Sequence, residues 1–210
     1  MINPEQKILL IIISYLLGSI STSIILCRIK KIDITKIGSG NAGATNTLRA
    51  LGKKYGTFVL ILDFIKGLLP VLIARYLDSN SMILPACCAF ASVLGHVFPI
   101  YFSFKGGKGA ATFIGAIFVI FPIGALICII VFIITLILSG FVGLSTILAA
   151  LSFPLSIYFF NDLNLMFFGI CAMIFILISH LSNIIRLIEG EESKFDKIHI
   201  FNKNSIWNKK

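Results

Sequence analysis

Two glycine-rich basic stretches and one histidine–asparagine pair carry most of the chemistry this 210-residue chain can offer. The first stretch, KIGSGNAGATNTLRALGKKYG (36–56), sets Gly38, Gly40 and Gly43 among Ser39, Asn41 and Thr45, with Arg49 following. Glycines let backbone N–H groups approach an anion, and a helix starting just after them adds the positive end of its dipole. A guanidinium a turn or so downstream can fork onto phosphate oxygens, and Ser39, Asn41, Thr45 and Asn46 offer short-range hydrogen bonds. The second stretch, GHVFPIYFSFKGGKGAATFIG (95–115), frames Gly106 and Gly107 with Lys105 and Lys108 ahead of another helix start, which again favours phosphate. In the third, SHLSNIIRLIEGEE (179–192), His180 and Asn183 are three apart and share a helical face, where together they can orient a hydroxyl.

Each stretch also has a plainer reading. The first can be a structural glycine loop with a topology-setting arginine, and the third an interfacial helix cap. His96 can be a packing histidine, and Arg186 and Glu191 can form a helix-end salt bridge. Gly38 to Gly43 spells G-x-G-x-x-G, but a charged KIDITK precedes it where a dinucleotide fold needs a buried strand. No Walker sequence is present. The five cysteines, Cys27, Cys87, Cys88, Cys128 and Cys171, sit in apolar runs with no C-x-x-C pair and no histidine at ligand spacing. They read as small core hydrophobes, and neither a metal nor a cofactor is expected.

The elements that must position these groups are membrane helices. The chain is 58% hydrophobic and 13% charged, a balance ordinary water-soluble domains do not show. Its net charge of +9 is carried in short segments between apolar runs, where lysine and arginine set topology and meet anions; this argues against nucleic acid. The uncharged run at the amino terminus lacks a basic n-region and an A-x-A-like site, so it is expected to stay as a span. The uncharged stretch from Gly109 to Asn161 would reach roughly 80 Å as one helix, against a hydrocarbon core of about 30 Å. Breaks at Phe121-Pro122 and Ser139-Gly140 divide it into three, the first a short helix from about Gly109 to Ile120. With a span at about Thr57–Leu77, which carries Asp63, Lys66 and Arg75, the expectation is an all-α polytopic membrane protein of about seven transmembrane helices. A seven-span count collects the basic clusters at 28–54, 105–108 and 186–197 on the cytoplasmic side, with the amino terminus outside and the carboxy terminus cytoplasmic. Residues 1–195 are expected to form the membrane domain. Residues 196–210 form a basic tail, either resting on the membrane surface or frayed.

In this order, GSGNAGATNTLRALGKKYG, GHVFP…FKGGKGAAT and H-x-x-N-I-x-R-L-x-x-G-E resemble the three signature blocks of the bacterial acyl-phosphate-dependent glycerol-3-phosphate acyltransferases. YLLGSI near the amino terminus and LDFIKGLLP at 62–70 are similar as well. The resemblance implies a seven-span enzyme of the cytoplasmic (inner) cell membrane with its site facing the cytoplasm. The implied reaction moves a fatty acyl chain from acyl phosphate to the sn-1 hydroxyl of glycerol 3-phosphate, giving lysophosphatidic acid, the first step of phospholipid synthesis. It also implies a functional link to the enzyme that makes acyl phosphate. Carried over by motif position, Ser39, Arg49 and the backbone of Gly38, Gly40, Asn41, Gly43 and Thr45 belong to phosphate binding. Lys108 meets phosphate charge, with Gly106 and Gly107 allowing close approach. His180 and Asn183 position glycerol 3-phosphate, and Glu191 is a structural support. Two departures show: Ser21 stands where the family usually has proline, and Ser179 where a basic residue is common.

An acyl phosphate has a good leaving group, so the transfer needs alignment, carbonyl polarisation and deprotonation, with no covalent enzyme intermediate. No histidine has an aspartate five residues on, since Tyr101, Ile185 and Asn204 occupy those places, so an H-x-x-x-x-D base is absent. A carrier for a phosphorylated metabolite and a non-catalytic lipid-binding subunit are the rival classes.

Overall fold

The computed structural model describes residues 2–160 and 162–195; the basic tail lies outside the described residues. Among those residues the regular elements are all helical, and they form two compact units, one ending at Pro122 and one starting at Ile123.

In the first unit, α1 (Pro4–Gly18) starts on a capping box: Gln6 N–H donates to Asn3 Oδ1 at 2.8 Å and Asn3 N–H to Gln6 Oε1 at 3.0 Å, with Pro4 in the first turn. The chain then breaks and resumes as α2 (Thr22–Ile29), whose N-cap is the Ser21 hydroxyl, accepting from Ile24 N–H at 3.4 Å. A cap therefore occupies the position where the resembling sequences have proline. There follow α3 (Ala44–Leu51), α4 (Lys53–Leu77), α5 (Ile83–Val97) and α6 (Ala110–Ile120). The long helix α4 packs against α1, α2, α3, α5 and α6. Its start of close approach to α6 is set by two glycines: a Cβ on Gly67 would run into the Thr112 carbonyl, and one on Gly115 into the Phe64 carbonyl. Apolar helices in lipid gain little from hiding from one another, so backbone-to-backbone packing of this kind holds them. The ion pair of Lys7 and Asp78, at 2.6 Å, joins the start of α1 to the residue that ends α4.

The second unit continues α7 (Pro122–Ser139) into α8 (Val142–Phe159), α9 (Met166–Ser179) and α10 (Leu181–Ile188). Both breaks predicted from proline and glycine are present, the second turning through Gly140 at φ +76°. The axes of the last two helices differ by 57°, with His180 at the bend.

Five segments are long and apolar enough to cross a membrane: Pro4–Ile29, Lys53–Leu77, Ile83–Phe102, Pro122–Ser139 and Val142–Phe159. The bent pair Leu163–Ser179 and Leu181–Ile188 makes a sixth if it counts as one span. The further span expected to start near Gly109 is α6, whose 11 residues make it about 16 Å long, half the thickness of the hydrocarbon core. Ile83, Leu138 and Phe167 are each at least 75% accessible, as apolar side chains on lipid-facing helices are.

Candidate active site

The first glycine stretch is fastened at both ends to a small apolar core of Ile24, Cys27, Ile34 and Ala42, with Leu51 and Phe102 packed against it. Between those anchors a buried amide shapes the loop. Asn46 Nδ2 donates to the carbonyls of Ile37 at 2.8 Å and Ile34 at 3.2 Å, while Asn46 Oδ1 accepts from Ser39 N–H at 3.2 Å. Asn46 was expected to be a candidate anion contact; these three bonds make it the staple of the loop instead. Gly38 lies at φ +55°, and a Cβ there would also meet Asn46 Oδ1 and come within 3.8 Å of Arg49 Cδ. Arg49 and the loop backbone are thus side by side, with Ser39 and Arg49 both exposed. Ahead of the loop, Asp33 caps a turn, accepting from the Thr35 hydroxyl at 2.6 Å and the Thr35 amide at 3.1 Å. That hydroxyl, then the amide, hold the Asp33 carboxyl below its ordinary value. Its contribution is therefore present above the ordinary carboxylate range and lost only as pH falls through the lowered value.

The second stretch folds back over the end of α5. Gly107 N–H donates to the His96 carbonyl at 3.1 Å. A Cβ on Gly107 would meet His96 Nε2 and stand 2.8 Å from the Ala42 carbonyl. Ala42 belongs to the first stretch, so the two glycine loops meet backbone to backbone, which explains why glycine is needed there. Gly109, at φ +82°, then turns the chain into α6, placing half-buried Lys108 just ahead of that helix. Beneath the loop lies a buried polar group. Lys66 Nζ is 2.8 Å from Asp63 Oδ1 and donates to the Ile20 carbonyl at 2.9 Å. His96 Nδ1 is 3.1 Å from Thr112 Oγ1 and 3.7 Å from Asp63 Oδ1.

In the second unit, His180 and Asn183 are 4% and 7% accessible at the bend between α9 and α10. His180 Nδ1 lies 2.9 Å from the Ile176 carbonyl, an oxygen that can only accept, so Nδ1 carries the proton of that bond. Ser179, the other departure from the resemblance, donates to the same carbonyl at 2.8 Å and sits 3.1 Å from Nδ1. Asn183 lies over Gly143, where any Cβ would strike its side chain. Its Nδ2 donates to Glu192 Oε1 at 2.7 Å, and Arg186 Nε donates to Glu192 Oε2 at 2.7 Å. The expected support, Glu191, has an exposed side chain; the neighbouring Glu192 makes those bonds. Phe195 N–H donates to the Gly140 carbonyl at 2.8 Å, returning the segment after α10 to the α7–α8 turn.

Within the first unit, then, the first loop, with Arg49 beside Gly38, meets the second where Gly107 seats on Ala42. His180 and Asn183 are brought together in the second. Sequence reasoning missed Glu192 and Thr112, although Asp63 and Lys66 stood out as charges in an apolar helix.

The sequence profile of the glycerol-3-phosphate acyltransferase family matches residues 8–190. The glycerol-3-phosphate acyltransferase of Francisella tularensis subsp. holarctica is 44% identical over 186 residues, 88% of this chain and 91% of that protein. The enzyme of the same name from Aquifex aeolicus is 41% identical over 192 residues, 90% of this chain and 100% of that protein. Two crystal structures of PlsY (YgiH), an integral membrane glycerol 3-phosphate acyltransferase, are also similar. The glycerol 3-phosphate form has a TM-score of 0.87 at 41% identity, covering 90% of this chain and 96% of that one. The lysophosphatidic acid form has a TM-score of 0.84 at 40% identity, covering 90% and 95%. With nearly its whole length matched, and its glycine loops, buried histidine and asparagine falling inside the matched residues, this integral membrane chain belongs to the glycerol-3-phosphate acyltransferase family.

Proposed function

We propose that the protein transfers a fatty acyl group from acyl phosphate to the sn-1 hydroxyl of glycerol 3-phosphate, releasing lysophosphatidic acid and phosphate. The observation that carries this reading is the seating of Gly107 on Ala42, which makes neighbours of two cation-bearing glycine loops. Both substrates are phosphate anions. The similar crystal structures named for glycerol 3-phosphate and for lysophosphatidic acid support the acceptor and the product.

In the proposed chemistry the acceptor oxygen bonds to the acyl carbon and the bond from that carbon to the phosphate oxygen breaks. Arg49 and Lys108 neutralise phosphate charge and polarise the donor carbonyl, with Ser39 and the loop amides adding hydrogen bonds. His180, through Nε2, and Asn183 aim the hydroxyl, and a phosphate oxygen of substrate takes its proton. The basic segments after the first span and around Lys105 and Lys108 support a site on the cytoplasmic face of the inner membrane. The acyl-phosphate-forming enzyme is the functional partner this donor requires.

Purified protein given acyl phosphate and labelled glycerol 3-phosphate is expected to form ester without any ion or solute gradient. Labelled acceptor crossing a vesicle wall unchanged would favour a carrier, and binding without product a non-catalytic subunit. For the proton, His180→Gln is expected to raise KM for glycerol 3-phosphate by about tenfold, the worth of roughly one good hydrogen bond, and to keep a measurable kcat across the pH range. An unchanged KM with the chemical step lost would make His180 the general base.

A further inference from the structure

We propose that Asp63, Lys66 and Thr112 are positioning residues which, through His96, fix the glycine-lysine loop at 106–109 and hence the placement of Lys108; this rests on the phosphate-binding reading of that loop. The four side chains come from three helices. Asp63 and Lys66 lie one turn apart on α4, His96 near the end of α5, and Thr112 in the first turn of α6. All are buried: the side chains of Asp63, Lys66 and His96 are 3%, 9% and 6% accessible, and Thr112 is 0%. Charged and ring-nitrogen groups in apolar helices cost free energy that an aliphatic pair would avoid, so a set of four in contact needs a reason beyond packing.

The geometry supplies that reason. His96 has its two ring nitrogens on different duties. Nδ1 faces Thr112 Oγ1 at 3.1 Å, with Asp63 Oδ1 at 3.7 Å behind it. Nε2 lies against Gly107, close enough that a methyl group there would strike it. The His96 carbonyl also accepts from Gly107 N–H, so the histidine holds the loop with backbone and ring together. Lys66 ties this group to the α1–α2 break by donating to the Ile20 carbonyl at 2.9 Å while it pairs with Asp63. Release of Nδ1 by its partners would let the ring turn, and Gly107 would lose the surface it rests on. Lys108, one residue further along, would then be displaced from its anion. Thr112 lies in the same short run as the loop, GGKGAAT, so one segment carries both the phosphate ligand and the hydroxyl that steadies its support.

Thr112→Val keeps the shape of the side chain and removes the hydroxyl; Thr112→Ser keeps the hydroxyl. With acyl phosphate as donor, Thr112→Val is expected to raise KM for glycerol 3-phosphate by about tenfold with kcat changed less than about threefold, and Thr112→Ser to stay within about twofold of the parent. In combination with Lys108→Ala, Thr112→Val should add little, since both act at one cation. Hydrogen exchange reads the same point without turnover: in Thr112→Val the amides of 105–109 should exchange about tenfold faster, with the interiors of α4 and α5 unchanged. Parent-like kinetics and exchange in Thr112→Val, independent losses in the double variant, or faster exchange spread through α4 to α6 would each overturn the proposal. If the parent protein makes no ester while exchange at 105–109 still rises selectively, the functional reading fails and the positioning role stands.

Discussion

Gly107→Ala is expected to lower kcat/KM for glycerol 3-phosphate by at least about a hundredfold, equivalent to roughly 2.7 kcal/mol at the transition state. The new methyl group would meet two things that cannot yield. One is the Ala42 carbonyl, 2.8 Å from where the Cβ would stand, on a residue only 2% accessible and anchored in the core under the first loop. The other is His96 Nε2, on a ring steadied by Thr112. The loop can admit the methyl only by lifting away from Ala42, which separates Lys108 from the loop beside Arg49. Initial rates on purified protein, varied in both substrates, check this. Lys105→Ala, an exposed neighbour, serves as control and should remain within about threefold of the parent. Gly107→Ala within threefold as well would mean that the two loops do not need their contact.

Glu192→Ala is expected both to destabilise the protein by about 2–3 kcal/mol and to remove most activity. The carboxylate accepts from Asn183 Nδ2 and from Arg186 Nε, each at 2.7 Å, and the side chain is 6% accessible. Its loss leaves a guanidinium without this counter-charge and an amide with one fewer constraint, close to the residue proposed to aim the hydroxyl. Breaking a fully buried pair costs about 3–5 kcal/mol; the figure here is reduced because the Arg186 side chain is 27% accessible and partly solvated. Glu192→Gln keeps an oxygen for Arg186 but offers Asn183 a donor or a single shared acceptor, so an intermediate effect is expected. Glu191→Ala should match the parent, since Glu191 is exposed. Melting of the detergent-solubilised protein and turnover of the same samples check both halves. A harmless Glu192→Ala beside a damaging Glu191→Ala would reverse the assignment.

The glutamate pair shows where sequence reading stops. Gly190, at φ +75°, turns the chain after α10, and it is Glu192, not the adjacent Glu191, whose carboxylate meets Asn183 beyond that turn. Asn46 is a similar case: an amide beside glycines suits a phosphate or a backbone equally well, and only the positions of Ile34, Ile37 and Ser39 show that it holds the loop. The glycine loops themselves were legible because close backbone approach restricts the residue type to glycine, leaving a trace in the sequence. The all-helical membrane character was legible for a comparable reason, since lipid demands long apolar runs. The short α6, expected from about Gly109 to Ile120, was legible for a different reason: Gly109 and Phe121-Pro122 mark its two ends. Asp63 and Lys66 were visible as misplaced charges, while His96, Thr112 and the Ile20 carbonyl, which complete the group, come from α5, α6 and the α1–α2 break and are revealed only by packing.

The most direct test of the account is the donor. Purified protein in lipid vesicles should be given labelled glycerol 3-phosphate and, side by side, an acyl phosphate and an acyl thioester of the same chain length. The account predicts lysophosphatidic acid and inorganic phosphate in equal amounts from the acyl phosphate, at a rate far above that with the thioester. Ester formed from the thioester while the acyl phosphate stays intact would contradict it.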